Sequence, residues 1–170
     1  DAALEISVPA AAVDPIATHV ILTVEGDPMA VDPLPGAGAG QGVRAKKVTA
    51  SNVFQQDSHY AAGKVADGDP GSRWATDGGV TAAWLEFDFG KPVKLKSVVI
   101  EGEPSYVGRI QKYALERWDG QGWVAFSVGT QIAEQAEIAF EAMEAQRVRL
   151  NITAATDGPT LNEISWLPAK

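Results

Sequence analysis

The chain has 170 residues, of which 45% are hydrophobic and 21% are charged, as expected of a soluble globular protein with one ordinary domain. Its formal net charge of −8 argues against nucleic acid as a partner, because phosphate contacts need a basic face. It contains no cysteine for disulfide or thiol chemistry and no apolar run long enough to cross a membrane, so a membrane partner is not expected either.

The N-terminal part of the chain has two strand-like runs, Leu4–Val8 and His19–Val24, but none of the thirteen aromatic residues. Two strands without aromatic side chains to cover them cannot build an independent core. We therefore interpret residues 1–32 as the tail of an upstream β-sandwich domain. Residues 33–42 are rich in Pro and Gly and predict a linker, so that the folded module covers residues 43–170.

Oxygen-bearing side chains surround a forced turn between Lys64 and Trp74, which has the sequence KVADGDPGSRW. Asp67 and Asp69 lie two positions apart, Gly and Pro residues constrain the backbone, and Ser72 adds a hydroxyl. Ca²⁺ takes six to eight oxygen ligands, including backbone carbonyls of the kind that such a turn exposes. The pattern predicts a structural calcium site, and a turn held by Asp side chains without metal is the alternative.

Alternating apolar and polar residues predict strands beyond this turn. Trp84–Phe89 alternates in this way, and Val93–Glu101 alternates again after Gly90–Pro92, which we expect to turn the chain. The sequence WDGQG then predicts a hairpin that joins Tyr113–Arg117 to Trp123–Ser127.

The segment Gln131–Gln146 is rich in Ala, Glu, Gln and Met, which favour a helix. Its apolar residues nevertheless alternate, so we predict a strand over Glu137–Glu141. Val148–Ile152 and Leu161–Leu167 supply two further strands. Many short strands separated by Gly and Pro turns predict an all-β fold, either a sandwich or a barrel.

Several motifs together resemble the discoidin-type domain, also called the coagulation factor type C domain, over about residues 43–168. They are ASN, KVADGDPGSRWATD, WLEFDFG, RIQKYALERWDG, RVRLNI and NEI, in that order along the chain. The bacterial branch of this family includes family-32 carbohydrate-binding modules. The resemblance implies an antiparallel, eight-stranded jelly-roll β-sandwich with ligand-binding loops at one end.

The residues of the later motifs are similar to those of discoidin-type domains that are appended to bacterial α-L-fucosidases. The first 28 residues likewise resemble the end of the small β-sandwich that follows a fucosidase catalytic barrel. This implies an upstream glycosidase domain and a secreted, periplasmic or cell-surface protein.

The resemblance also assigns the calcium ligands. The related modules use the turn and a Glu near the C-terminus. Carried over to this chain, the ligands are the Lys64 carbonyl, Asp67, Asp69, Ser72, the Asn162 carbonyl and Glu163.

Sugar contacts are expected in the loops beside the turn, because sugars bind aromatic faces and planar polar groups. The candidates are His59, Tyr60, Trp74, Asp77, Glu101, Tyr106 and Arg109. Trp74 has core packing as its alternative role, and Arg109 has a surface ion pair with Glu101 or Glu103. Galactose-binding relatives often have His where this chain has Ala75, so the resemblance does not by itself imply galactose specificity.

The sequence offers no catalytic motif, so three non-catalytic functions are in contention. The leading one is a module that targets an attached glycosidase to fucose- or galactose-containing glycans. The others are a purely structural fucosidase domain and an adhesion or lipid-binding domain.

Overall fold

A computed structural model describes residues 42–169, so the predictions for residues 1–32, and for the linker up to its last residue, lie outside the described residues. The described chain forms seven strands: β1 (Lys47–Ala50), β2 (Trp74–Ala75), β3 (Ala83–Gly102), β4 (Ile110–Trp118), β5 (Trp123–Gly129), β6 (Gln135–Ala155) and β7 (Thr160–Pro168). Short 3₁₀ turns occupy Phe54–Gln56, Ser58–Tyr60, Ala62–Ala66 and Pro104–Tyr106.

All strand pairs are antiparallel, and two long strands organise them. The first part of β3 pairs with β1 and with the end of β6, whereas its second part pairs with β7 and with the start of β6. On one side, β6 continues to β4 and β5; on the other, β7 continues to β2. The predicted all-β antiparallel fold is confirmed. The described residues form seven strands where eight were expected, and β3 and β6 each run through both halves of the sheet.

The segment Gly90–Pro92 does not turn the chain back, as its Gly and Pro residues had suggested. It lies inside β3, where Gly90 has a φ of +75° and the pairing with β6 shifts register between Asp88 and Val93. The backbone on both sides stays paired with β6, so the irregularity bends one continuous strand. The strand predicted over Glu137–Glu141 is confirmed, as the first part of β6.

The core lies beneath the alternating residues of these strands. Leu85 and Phe87 on β3 face Val148 and Leu150 on β6, and Trp166 on β7 packs edge to face against Phe87. Full burial of side chains of this size stabilises the fold by about 1.5–3 kcal/mol each. The core therefore lies between the inner faces of the strands and leaves the connecting loops free to carry a site.

The opposite face of the same strands carries a network of tryptophan and arginine side chains. Trp84, Trp118 and Trp123 are half-buried there, and the guanidinium groups of Arg147 and Arg149 lie 5.0 Å and 4.5 Å from the ring centroids of Trp118 and Trp123, respectively. Glu86 and Glu116 pair with the two arginines. We call these seven residues the outer tryptophan face.

Across residues 42–169, no helix combines the length and the apolar character that crossing a lipid bilayer requires.

Candidate functional site

An open depression of about 290 Å³ lies where the connections before β2, after β2, between β3 and β4, and between β6 and β7 meet. We call it the loop pocket. It is lined by Phe54, Tyr60, Arg73, Ala75, Thr76, Gly78, Tyr106, Arg109, Asp157, Gly158 and Thr160. A pocket of this size accommodates a small ligand such as one or two sugar rings.

The connection between β3 and β4 positions one wall of the loop pocket. The Glu103 carboxylate accepts a hydrogen bond from the backbone N–H of Ser105 and caps a 3₁₀ turn that begins at Pro104. Gly108 then adopts a φ of +87°, a left-handed conformation that favours glycine. The turn ends with a hydrogen bond from Arg109 N–H to the Tyr106 carbonyl, which places both side chains on the same short loop.

Arg109 is held in place by three neighbours. Its guanidinium lies 4.2 Å from the centroid of the Tyr106 ring, donates to the Gly158 carbonyl at 3.1 Å, and approaches the Asp157 carboxylate at 3.3 Å. An arginine has five donors, so these contacts leave donors for a ligand. The arrangement presents an aromatic ring with an oriented guanidinium beside it.

Asp157 and Gly158 fix the opposite wall. The Asp157 Oδ1 atom accepts from the backbone N–H groups of Gly79 and Gly158, both at 2.8 Å, and these bonds hold the pKa of Asp157 below its usual range despite the opposing effect of burial. A Cβ on Gly158 would come within 2.7 Å of the Asp77 carbonyl oxygen, so the close approach of the two loops requires glycine there.

Arg73 lies beside Tyr60 on the remaining side of the loop pocket. Its guanidinium carbon is 5.4 Å from the centroid of the Tyr60 ring and 5.8 Å from that of Tyr106. The Glu103 carboxylate is 3.6 Å away, beyond the distance of a normal hydrogen bond.

Three of the predicted sugar contacts, Tyr60, Tyr106 and Arg109, line the loop pocket together. Arg109 forms an ion pair with Asp157, whereas the expected alternative was Glu101 or Glu103.

The other four predicted contacts do not line the loop pocket. The Trp74 prediction is wrong, because this residue is fully buried and its indole N–H donates to the Asn52 carbonyl. The His59 side chain is 85% exposed and points to Asp57. The Asp77 carboxylate accepts from Asn52 and from the N–H of Gln55, and therefore braces the loop instead.

The fourth of these, Glu101, lies in β3 opposite Glu163, away from the residues that line the pocket.

Sequence reasoning missed Arg73, Asp157 and Thr160. Arg73 was not considered as a sugar contact because it lies inside the predicted calcium motif, next to a tryptophan of the core. The TDGP sequence around Asp157 did signal a turn, but nothing local indicated which loops it would meet.

The turn between Lys64 and Ser72 brings oxygen atoms close together. The Ser72 hydroxyl lies 3.0 Å from the Lys64 carbonyl oxygen and 2.9 Å and 3.0 Å from the two carboxylate oxygens of Asp67, although it has one proton to donate. Burial raises the pKa of Asp67, but hydrogen bonds from Asp69 N–H, Ser72 and Lys64 outweigh it and hold the pKa below its usual value.

Glu163 on β7 lies next to this turn and is only 5% exposed. Burial raises the pKa of its carboxyl from an ordinary 4.5 to about 7; the N–H of Gly68 opposes this shift, and the charges of Asp67 and Glu101 add to it. The Glu163 Oε2 atom and the Asn162 Oδ1 atom are buried without a hydrogen-bond partner among the described residues. The Asp69 carboxylate, in contrast, has a partner, because it accepts a hydrogen bond from Gly71 N–H.

No group of three or more His, Cys, Asp or Glu side chains in residues 42–169 converges as a metal site. An ion at this turn would therefore depend on carbonyl and hydroxyl oxygens in addition to the carboxylates.

Comparison with protein families matches residues 47–165 to the F5/8 type C domain. The chain belongs to the F5/8 type C domain family. Its strands therefore form the jelly-roll β-sandwich of that family, which confirms the expected fold. Among curated proteins, no sequence matches the chain.

Solved structures share this fold at low sequence identity. Chitosan-binding module 1 of a chitosanase/glucanase from Paenibacillus sp. IK-5 is 23% identical, with a TM-score of 0.65 over 75% of this chain and 98% of that one. CpGH89CBM32-5 from Clostridium perfringens, in complex with GalNAc-β-1,3-galactose, is 17% identical, with a TM-score of 0.62 over 71% and 94%.

A putative α-L-fucosidase from Bacteroides thetaiotaomicron is 22% identical, with a TM-score of 0.68 over 75% of this chain. The match covers 28% of the fucosidase, so the F5/8 type C domain of this chain corresponds to a minor part of that larger protein.

Proposed function

We propose that this F5/8 type C domain is a non-catalytic carbohydrate-binding module whose ligand occupies the loop pocket. The observation that carries the proposal is the Arg109 guanidinium, fixed against the Tyr106 ring at 4.2 Å and anchored by Asp157. An aromatic face packs against the C–H groups of a sugar, and a fixed guanidinium donates to its hydroxyls.

The structural neighbours support this function and suggest what the module is attached to. One is a chitosan-binding module, another is in complex with GalNAc-β-1,3-galactose, and a third is part of a putative α-L-fucosidase. We infer an attached α-L-fucosidase-like glycoside hydrolase and a glycan that contains fucose or galactose. The module would raise the effective concentration of the enzyme at this glycan.

Catalysis by the module itself is not part of the proposal. Glycoside hydrolysis requires two carboxyl groups on either side of the scissile bond. Among the residues that line the loop pocket, Asp157 alone carries a carboxyl group, and it is occupied by two backbone N–H groups and Arg109.

Replacement of Arg109 by Ala tests the sugar-binding role. We expect at least a tenfold loss of affinity for the best ligand of a broad glycan array, because hydrogen bonds to a charged group contribute about 1.5–3 kcal/mol. Calorimetry measures the affinity, and a thermal melt checks that the variant is folded. Arg117→Ala removes the same charge from β4 and serves as the control.

The same experiment separates the alternatives. Absence of binding to every glycan would favour a structural fucosidase domain. Binding of the chain to anionic vesicles, and to no glycan, would favour a lipid-binding domain.

We also propose that the turn holds a structural calcium ion. The buried Glu163 Oε2 atom, which has no partner among the described residues, and the crowded oxygens around Ser72 fit a hard cation. The residues that would hold it are the Lys64 carbonyl, Asp67, Asp69, Ser72, the Asn162 carbonyl and Glu163. The ion would neutralise the carboxylates and join β7 to the turn.

A module with these properties works where polymeric or cell-surface glycans are found. We therefore propose a secreted, periplasmic or cell-surface location.

A further inference from the structure

Arg73 is a half-buried guanidinium that makes no hydrogen bond within the described residues. Its Nε atom is buried and has no partner, and its nearest carboxylate, Glu103, remains 3.6 Å from Nη1. Leaving a buried donor of a charged group unpaired costs more free energy than leaving a neutral one unpaired. Because Nε is enclosed, the donor capacity that Arg73 offers at the wall of the loop pocket is that of its two Nη groups.

Two tyrosine rings hold this guanidinium in place. The Arg73 Cζ atom is 5.4 Å from the Tyr60 centroid and 5.8 Å from the Tyr106 centroid, and the face of Tyr106 also carries Arg109. Cation–π contacts of this kind orient a guanidinium and leave its N–H groups free to donate. Two oriented arginines thus share one aromatic ring at the same pocket.

The charge of the loop pocket is opposite in sign to that of the chain. Its charged lining residues are Arg73, Arg109 and Asp157, which gives an excess of one positive charge in a chain whose formal net charge is −8. Two other surface depressions do not show this excess. One is lined by Arg44, Asp67 and Glu163 among other residues, and the other has two basic and two acidic residues.

The acidic residues near the two arginines already have other partners. Asp157 already accepts two backbone N–H bonds in addition to its pairing with Arg109. Glu103 does not line the loop pocket; its carboxylate caps the 3₁₀ turn and forms an ion pair with Arg73 at 3.6 Å, without a hydrogen bond.

We propose that the loop pocket selects an acidic sugar, one that carries a carboxylate or a sulfate group, and that Arg73 receives this group. The inference rests on the proposed sugar-binding function and adds the class of ligand. A carboxylate or sulfate accepts two parallel N–H bonds from one guanidinium, which a single hydroxyl cannot do. Arg73 is the specificity-determining residue, whereas Arg109 and Tyr106 contact the sugar ring.

Matched sugars test the inference on the whole chain. The methyl glycosides of galactose, galacturonic acid and galactose 6-sulfate, and the pair of glucose and glucuronic acid, are titrated by ligand-observed NMR. We expect an acidic sugar to bind at least tenfold more tightly than its neutral counterpart, and the advantage to shrink as salt is raised. The uronic acid and sulfate arms show which anion is preferred.

Arg73→Gln is the test variant, and Arg117→Gln makes the same change in net charge on β4. We expect Arg73→Gln to bring acidic and neutral sugars to similar affinities, and Arg117→Gln to keep the difference. Arg73→Lys retains the charge without the planar pair of donors and should keep part of the preference. A thermal melt of each variant confirms folding.

Equal or tighter binding of the neutral sugars would overturn the acidic preference and leave the sugar-binding function intact. An acidic preference that survives Arg73→Gln would overturn the role of Arg73. Absence of binding to any sugar, neutral or acidic, on these titrations and on the glycan array would overturn both proposals.

Discussion

Glu163 is a carboxyl group that the fold keeps almost out of water. Its pKa of about 7, against an ordinary 4.5, means that the folded chain binds a proton there more tightly than the unfolded chain does. The resulting stability is fully present below about pH 4.5 and is lost as the pH rises through 7. The shift corresponds to on the order of 3 kcal/mol, since each pKa unit is about 1.4 kcal/mol.

Glu163→Gln should therefore have opposite effects with and without calcium. In a chelator at pH 8, we expect the variant to be more stable than the unmodified chain, because it removes a buried charge; at pH 4.5 the two should be similar. In excess Ca²⁺ at pH 8, the unmodified chain should be the more stable. Urea unfolding at several pH values measures these differences.

Asp69→Asn is the matched control in the chelator, because the Asp69 carboxylate accepts from Gly71 N–H at the exposed edge of the turn. In Ca²⁺ this variant should lose stability as well, since Asp69 is itself a proposed ligand. A stability difference for Glu163→Gln that does not change with pH in the chelator would contradict the assignment of the raised pKa to this residue.

Neighbouring residues in the sequence also show the limit of prediction at this scale. Trp74 and Arg73 are adjacent, and only the tryptophan was expected to contact a ligand. In the structure Trp74 enters the core while Arg73 reaches the loop pocket, because successive side chains of an extended segment point to opposite sides. The motif alone does not indicate which of the two sides faces the core.

At the scale of elements, the hairpin of β4 and β5 has a glycine where no side chain would fit. Gly129 lies opposite Tyr113 in the pairing register, and a Cβ at this position would overlap the Tyr113 ring. Burial of this ring also raises the pKa of the Tyr113 hydroxyl. The tyrosine thus occupies the space that a side chain at residue 129 would need.

Gly129→Ala should destabilise the chain by roughly 1–3 kcal/mol, the usual cost of overpacking. Gly122→Ala lies in the same hairpin, where a Cβ meets nothing within 4 Å, and should change stability far less. Urea unfolding of the two variants measures the difference. Equal stabilities would show that the Tyr113 ring moves aside without cost.

The same hairpin was predicted from its Asp-Gly turn, because a tight turn is a local feature of the sequence. The long strands were predicted only in part. Ala, Glu, Gln and Met in β6 favour a helix when considered alone, and their strand conformation depends on pairing with β3, which is distant in the chain. Gly90 was interpreted as a reversal, since a positive φ serves a turn and a bulge equally well.

At the scale of the whole molecule, the proposed calcium ion would join the turn before β2 to the last strand. A ligand that binds only the folded state stabilises it by about 2.7 kcal/mol when present at a hundredfold excess over its dissociation constant. Chelation should accordingly lower the melting temperature by roughly 5 °C or more in a chain of this length.

Differential scanning calorimetry in excess Ca²⁺ and in chelator measures this shift. Ser72→Ala removes one proposed ligand and should reduce it. Mg²⁺ should restore less stability than Ca²⁺, because it demands a stricter octahedral geometry. Identical melting temperatures in Ca²⁺ and chelator would contradict a structural calcium site.

The motifs predicted the fold of the whole module because their order along the chain matches that of one family. The loop pocket could be predicted only in part, since four connections distant in sequence meet there. Residues from two of them, Tyr60 before β2 and Tyr106 and Arg109 between β3 and β4, were anticipated by their chemistry. Asp157, in the fourth, becomes part of the site only through its contact with Arg109.

The placement of the five tryptophans has a practical optical consequence. Trp74 and Trp166 are enclosed in the core, and the other three belong to the outer tryptophan face, whereas the aromatic lining of the loop pocket consists of Phe54, Tyr60 and Tyr106. A ligand in that pocket would touch no indole. Intrinsic tryptophan fluorescence should therefore change strongly when the module unfolds and change little when a ligand binds in the pocket.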